Sequence, residues 1–500
     1  MRRSRRTSIL AAYLTAAALL PAAGALAHGG PPSSDAAARL VAAVLGETPM
    51  VDDLRVLTDE IGGRPTGSAA NLRSVEWALE RLREAGVEAR KEAFEMPALW
   101  LERSASATVS GNGVGFSPRV AAMPYSTATS AEGTTAPLVD GGRGTEEDFE
   151  RLGETARGAF VLVETVELAD VPGLFTEYIE AAAIEKRAFA AGVAGVVYMG
   201  SRPRDVLYRH NASLGPDNRH PMLVMERDDA SRSLRLLRGG GALEIHVVLD
   251  IQSGGPYESY NVLGEIPGSG HPEEFVVVGA HLDSWGIGTG ALDNGCNVAM
   301  LIDLARQIRR LGLQPRRTIR FVLWNGEEQG LYGSLGYIRS HRDELDRHVM
   351  ASSFDIGSGR IVGFFTGGRP QLAAAVDRAL APVRGLGPFT QTDVPIVGTD
   401  NYDFMMEGIG NLVADQESAN YGPNYHARTD TFDKVDLEQL RLNAAIAAAV
   451  VWGFAETDVD WHRQSRAEIQ ELIDSTDLGE QMKTFGYWNA WVAGERGRRD

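Results

Sequence analysis

Seven residues with imidazole or carboxylate side chains stand where apolar runs end, or shortly beyond. His281 and Asp283 follow "EFVVVGA", Asp293 lies twelve positions past His281, Glu327 and Glu328 follow "TIRFVLW", Asp355 follows "VMASSF", and His426 sits in "NYHARTD". Five of them, His281, Asp293, Glu328, Asp355 and His426, can build two zinc sites if Asp293 bridges them. Each ion then has one imidazole, one terminal carboxylate and half of the bridge. Two ions bring four positive charges against three negative ones, and a shared hydroxide completes neutrality. With three protein ligands each, both ions keep an open position, as catalytic rather than structural zinc does. Asp283, two residues beyond His281, is placed to accept the other imidazole N–H and fix the ring. Glu327, left over beside a ligand, is the candidate general base. Taken singly, "HLD" reads as a solvated loop and "GEE" as a helix entry; their joint arrival at strand ends carries the metal reading. The histidines at 210, 220, 246, 271, 341, 348 and 462 lie in loops or helices apart from this carboxylate set and read as ordinary surface or core residues. Cys296, in the first turn of a helix, reads as a packing residue. The glycines around Asp293 are followed by neither a lysine nor a GxGxxG ordering, so no phosphate loop is expected; they let backbone pass close to the metals.

The elements that must position these residues alternate strand and helix. After Tyr260 come strand "EFVVVGA", helix "CNVAMLIDLARQIRRLG", strand "TIRFVLW", helix "LYGSLGYIRSH", strand "VMASSFDIG", helix "QLAAAVDRALAPV" and a long helix from Asp436 to about Glu456. Strands that are apolar almost throughout belong to a sheet covered on both faces. In such a sheet ligands bind outside the carboxyl ends of the strands, where the seven residues fall. Residues 35 to 86 read as helices, and residues 99 to 259 as shorter strands and helices with almost no clustered ligands. The latter stretch therefore reads as a lid that shapes a cleft. Residues 459 to 500 read as a helical extension with a frayed, charged tip, "ERGRRD".

A chain of 500 residues, 44% hydrophobic, exceeds what one compact domain usually holds, so two domains are expected. Its formal net charge of -18 argues against a nucleic-acid partner. Arg2, Arg3, Arg5 and Arg6 precede an apolar run ending at Ala25-Leu26-Ala27, which reads as an export signal over residues 1–27, by ordinary secretion or the twin-arginine route. The protein is expected to be secreted or periplasmic. No other stretch approaches the ~20 apolar residues of a membrane span. The one cysteine excludes an intrachain disulfide.

"VVVGAHLDSWGIGTGALDNG", "FVLWNGEEQGLYGS", "SFDIG" and "NYHARTDTFDKVD" resemble the co-catalytic dizinc exopeptidases, most closely their carboxypeptidase Q branch. The resemblance covers nearly the whole chain past residue 27. It implies an α/β fold with a mixed, mostly parallel sheet flanked by helices, into which a smaller α/β protease-associated-like domain is inserted around residues 134 to 240. The divisions expected are a peptidase domain over 28–98 and 260–458, the inserted domain over 99–259 and the extension over 459–500. The same five ligands and the same base, Glu327, carry over by motif. "GTDNYDF" resembles a segment on the family's substrate side, which brings in Asp400 and, at a looser point of the pattern, Tyr402.

The function this implies is hydrolysis of a peptide bond at a chain terminus with two zinc ions. Asp400, Asp403 and Glu407 outnumber Arg369 and Arg428 near the site, so substrates with a free amino terminus are expected. Carboxypeptidase specificity, a binding ectodomain with little catalysis and a cyclising acyltransferase are the alternatives. A peptide is the expected partner, a homodimer is left open, and neither nucleic acid nor a membrane span is expected.

Overall fold

The apolar runs that end at the candidate ligands become neighbouring strands. The computed structural model describes residues 33–168, 171–203, 206–209 and 215–499; the expected signal at 1–27 lies outside them. A seven-stranded sheet has the order Glu88–Met96, Tyr257–Ile266, Arg317–Trp324, His271–His281, His348–Ser353, Asn411–Gln416, Ile361–Phe365. The four strands from Arg317–Trp324 to Asn411–Gln416 pair in parallel, and those outside them pair antiparallel. The sheet is mixed, as expected, with its parallel part confined to the centre. Alternation along His271–His281 shows how both faces are covered. Val276, Val278 and Ala280 enter a core with Val298, Ile302 and Val450 from helices Cys296–Arg310 and Leu437–Glu456. Phe275 and Val277 enter a smaller cluster with Tyr337 of helix Tyr332–Ser340 and Phe404 of helix Asn401–Met406. Each such side chain contributes about 1.5–3 kcal/mol when fully buried.

An eight-stranded sheet is built entirely from strands between Leu99 and Gly254. Its centre, Thr134–Asp140, Phe160–Val163, Gly195–Met199 and Met222–Met225, is parallel. The chain returns to the first sheet at Tyr257, three residues ahead of the expected 260. The two sheets are tied together within one compact unit, residues 33–500. Trp285, from the loop after His281, packs in the second sheet's core with its ring centroid 6.3 Å from that of Trp100. Tyr208 forms a β-bridge with Ala427, beside the candidate ligand His426.

Residues past 459 form the helices Arg466–Ser475, Leu478–Thr484 and Trp488–Val492. The expected frayed tip is instead docked. Trp491 is buried, and Arg496 donates to the Asp403 carboxylate from Nε at 2.7 Å and from a terminal nitrogen at 2.8 Å. Among the described residues no helix is long and apolar enough to cross a membrane.

Candidate metal centre

The loop carrying Asp283 and Asp293 is held through its backbone by two buried charges. Arg64 donates to the carbonyls of Leu282, Thr289 (2.8 Å) and Gly290 (2.9 Å). Burial lowers its pKa to about 10. The Asp430 carboxylate accepts the N–H groups of Ala291 (3.0 Å), Leu292 (2.6 Å) and Asp293 (3.2 Å). Burial raises its pKa to about 7. The glycines serve this packing: a Cβ on Gly288 would run into the Ala427 and Asp430 carbonyls, and Gly290 (φ 61°) would meet Ser284. Both clamps are absent from the sequence reading because they act on carbonyls and amides, which every residue carries. Their only trace is a charged residue set among turn formers in "GGRPTG" and "HARTD".

All five expected ligands converge. His281 Nε2 lies 3.0 Å from Asp293 Oδ1 and 2.9 Å from Asp355 Oδ1, while His426 Nε2 lies 3.4 Å from Asp293 Oδ2 and 2.9 Å from Glu328 Oε2. Asp293 therefore turns one oxygen toward each histidine. The result is two groups, His281–Asp293–Asp355 and Asp293–Glu328–His426, with the ligand atoms of each within 4.8 Å of one another. Asp293 Oδ2, Glu328 Oε1 and Asp355 Oδ1 are buried without a hydrogen-bond partner. Unpartnered anionic oxygens facing imidazole nitrogens are the donor set a divalent ion requires. The fit to two ions sharing Asp293 is thus good. His281 Nδ1 lies 3.0 Å from the Asp283 backbone carbonyl, with the carboxylate Oδ1 farther off at 3.6 Å. The ring is thus oriented mainly by main chain, because the Asp283 carboxylate accepts from the Thr66 hydroxyl at 2.8 Å.

Glu327 Oε2 is 4.0 Å from His281 Nε2. Burial, reinforced by neighbouring carboxylates, pushes Glu327, Glu328 and Asp400 well above the ordinary carboxylate range. Burial works against a charge on His281, but Asp355 and Glu327 outweigh it and hold its pKa well above the usual value. Asp400, 1% exposed, has no lysine or arginine partner among the described residues. The other residues expected near substrate are placed differently. Tyr402 is fully buried with its ring stacked on Tyr487, centroids 5.0 Å apart, so it supports a neighbour rather than meeting solvent. Asp403 and Glu407 are bound by Arg496 and Arg463. Arg369 is buried against the carbonyls of Gly408 and His462, and Arg428 is exposed. His271 and His341 do have carboxylate neighbours: Glu273 at 3.6 Å and Glu274 at 3.9 Å for the first, Glu92 at 2.8 Å and Glu344 at 2.9 Å for the second. Of these, only Glu92 comes from a distant chain position, which local spacing does not reveal. A cavity of about 430 Å³ opens beside Glu327 and Glu328. Its walls come from three regions, with Tyr125 and Tyr178 from the eight-stranded sheet's segment, Tyr332 from the peptidase-like segment, and Phe485 and Tyr487 from the extension.

Residues 261–451, which hold every one of the five ligands, match the profile of peptidase family M28. This α/β stretch belongs to peptidase family M28. Carboxypeptidase Q of Rattus norvegicus is 29% identical over 238 residues, 48% of this chain and 50% of the rat protein, so the chain spans about half the length of that relative. A probable lipoprotein aminopeptidase, LpqL, of Mycobacterium tuberculosis is 27% identical over 437 residues, 79% of this chain and 81% of LpqL. The crystal structure of a peptidase M28 precursor from Shewanella amazonensis superposes with a TM-score of 0.76 at 26% identity, covering 86% of this chain and 98% of the other. The M28 likeness to that structure thus extends well beyond the profile match.

Proposed function

We propose that the protein is an exported dizinc exopeptidase that hydrolyses dipeptides or short peptides with a free amino terminus. The observation carrying this reading is the pair of three-ligand groups sharing Asp293, one of which reaches the cavity through Glu328. His281, Asp293 and Asp355 would hold one zinc ion, and Asp293, Glu328 and His426 the other. Bound there, the ions supply Lewis acidity, polarising a carbonyl and lowering the pKa of water. Glu327 takes a proton as water adds to the scissile carbonyl carbon, and returns it to the amine as the C–N bond breaks. Asp283 holds His281 in register through its carbonyl. Asp400, which has no lysine or arginine partner among the described residues, is the carboxylate left to read a substrate ammonium. The eight-stranded segment, 99–259 in this reading, acts as an inserted domain that closes the cleft, and residues 1–27 direct export.

A cavity of about 430 Å³ lies near the small end of ligand sites, a size suited to a short peptide. A carboxypeptidase reading draws support from Arg339, which lines the same cavity. A panel of free, N-blocked and C-blocked dipeptides assayed with zinc separates the two. Free and C-blocked substrates should be cleaved and N-blocked ones spared; equal cleavage of N-blocked substrates rules the amine preference out.

A further inference from the structure

Resting on that peptidase reading, we propose that the C-terminal extension selects the substrate side chain. Phe485 and Tyr487, with Tyr125 and Tyr332 on the other walls, take an aromatic or large aliphatic side chain next to the scissile bond. The extension lies past the M28 match, which ends at 451, yet it lines the cavity that reaches Glu327 and Glu328. It is held in place there. Tyr487 stacks on buried Tyr402 at 5.0 Å and lies 4.2 Å from the Arg496 guanidinium, which is itself bound by Asp403. Phe485 meets Tyr178 of helix Val171–Ala190 edge to face at 5.9 Å, closing extension against insert. Rigid aromatic walls favour rings and large apolar groups through area and edge-on contacts.

Two further observations mark the cavity as a place for a peptide. The side-chain amide of Gln329 has neither its oxygen nor its nitrogen hydrogen-bonded, and the Tyr125 hydroxyl is also unpartnered; both residues are at least nine-tenths buried and line the cavity. A main-chain N–H and C=O would satisfy them. Of the five described non-glycine residues with positive φ, Tyr125 (59°) and Leu331 (62°) line this cavity and His426 (55°) is a candidate ligand. Bulky residues rarely adopt that conformation, and when they do it is concentrated where function fixes geometry. The charge of Arg496 is offset by Asp403, Arg339 and Glu495 are exposed, and Glu327 and Glu328 lie at the candidate metal end, so among the described residues the aromatic walls offer a charged side chain no unpaired charge.

The test uses the zinc-loaded full chain and peptides bearing Phe, Leu, Ala, Asp or Lys on either side of the scissile bond. Wild type should prefer Phe and Leu at one of the two positions. Tyr487→Ala should lower the kcat/KM ratio of Phe- over Ala-bearing substrates by roughly 10-fold to 100-fold, as loss of a pocket contact does. Phe485→Ala should move the same ratio less, and Tyr487→Phe should keep it. Zinc content and melting midpoint show that each variant is folded. No bulky-side-chain preference in wild type, or a ratio unmoved by both alanine variants, overturns this inference while leaving the peptidase reading intact. Failure of the loaded wild type to cleave any peptide overturns both.

Discussion

Asp400 and Asp403 stand three positions apart at one short helix, and both are buried, yet their surroundings are opposite. Asp403 receives two hydrogen bonds from Arg496 and one from Ser334 at 3.0 Å, and nearby Glu407 receives one from Arg463 at 2.6 Å. Asp400 has no arginine partner and only the influence of the nearby Ser334 hydroxyl, which donates to Asp403, and neither it nor Asp283, Asp293, Glu327, Glu328 or Asp355 forms an ion pair with lysine or arginine among the described residues. Burying carboxylates with no lysine or arginine beside them costs several kcal/mol; raised carboxyl pKa values and the imidazoles of His281 and His426 lower that cost in the free chain, and a cation bound among them would lower it further. The paired set holds the extension, and the unpaired set is the place we propose for chemistry. Counting acidic residues in the sequence cannot separate the two.

The largest effect is expected inside the unpaired set. Glu327→Gln should keep both metals and the fold while losing ~100-fold to ~10,000-fold in turnover, the usual worth of general acid-base catalysis. Glu328→Gln should instead lose one ion, with activity partly recovered in excess zinc. Elemental analysis beside turnover decides it: if Glu327→Gln loses a metal and Glu328→Gln keeps two, the roles are exchanged.

In the paired set, Arg496→Ala leaves Asp403 buried with the Ser334 hydroxyl but no cationic partner. Removing one partner of a buried pair costs about 3–5 kcal/mol. The denaturation midpoint should fall accordingly, zinc content should stay unchanged, and a second change, Asp403→Asn, should restore part of the loss. A drop below about 1 kcal/mol would place Arg496 with ordinary surface pairs and break the contrast.

The two sets also differ in how they could be read from sequence. The candidate ligands could be picked out because metal chemistry admits few side-chain types and because apolar runs show where strands stop; His281, Glu328 and Asp355 closely follow such runs, while Asp293 and His426 lie farther along the chain in turn-rich segments. The central strands were legible for the same reason. Asp403 and Glu407 were misassigned to the substrate because their arginines, at 496 and 463, are close only after folding. Arg64 and Asp430 left no pattern, since they bind main chain. The docked tip was missed because "ERGRRD" looks uniformly solvated, although Arg496 alone among its residues finds a buried carboxylate.

Metal removal probes the unpaired set as a whole. Chelation should lower the melting midpoint, and restoring zinc to 100 times its dissociation constant should return about 2.7 kcal/mol per ion. Differential scanning calorimetry across a zinc series checks it. A midpoint indifferent to zinc would mean that these carboxylates are accommodated some other way.

The smallest effect is expected at the outer edge of the extension, where charges are neither buried nor needed for chemistry. Ser465 caps helix Arg466–Ser475 in a capping box: its hydroxyl oxygen accepts the Glu468 N–H at 3.3 Å, and the Glu468 carboxylate accepts the Ser465 N–H at 2.7 Å. The Ser465 backbone N–H first, and then its hydroxyl, which donates to the Glu468 carboxylate at 2.9 Å, hold the Glu468 pKa down at about 2. Ser465→Ala should cost ~1 kcal/mol. A depressed carboxylate pKa contributes stability that is present above the unfolded value and lost as pH falls through the folded one, so the difference between wild type and variant should be full above about pH 5 and shrink toward pH 2. Because Trp491 and Arg496 anchor the extension independently, the preference for bulky substrates should survive this change. Selectivity that vanished with Ser465 would show that the cap, and not the buried Arg496–Asp403 pair, holds Tyr487 in the cavity wall.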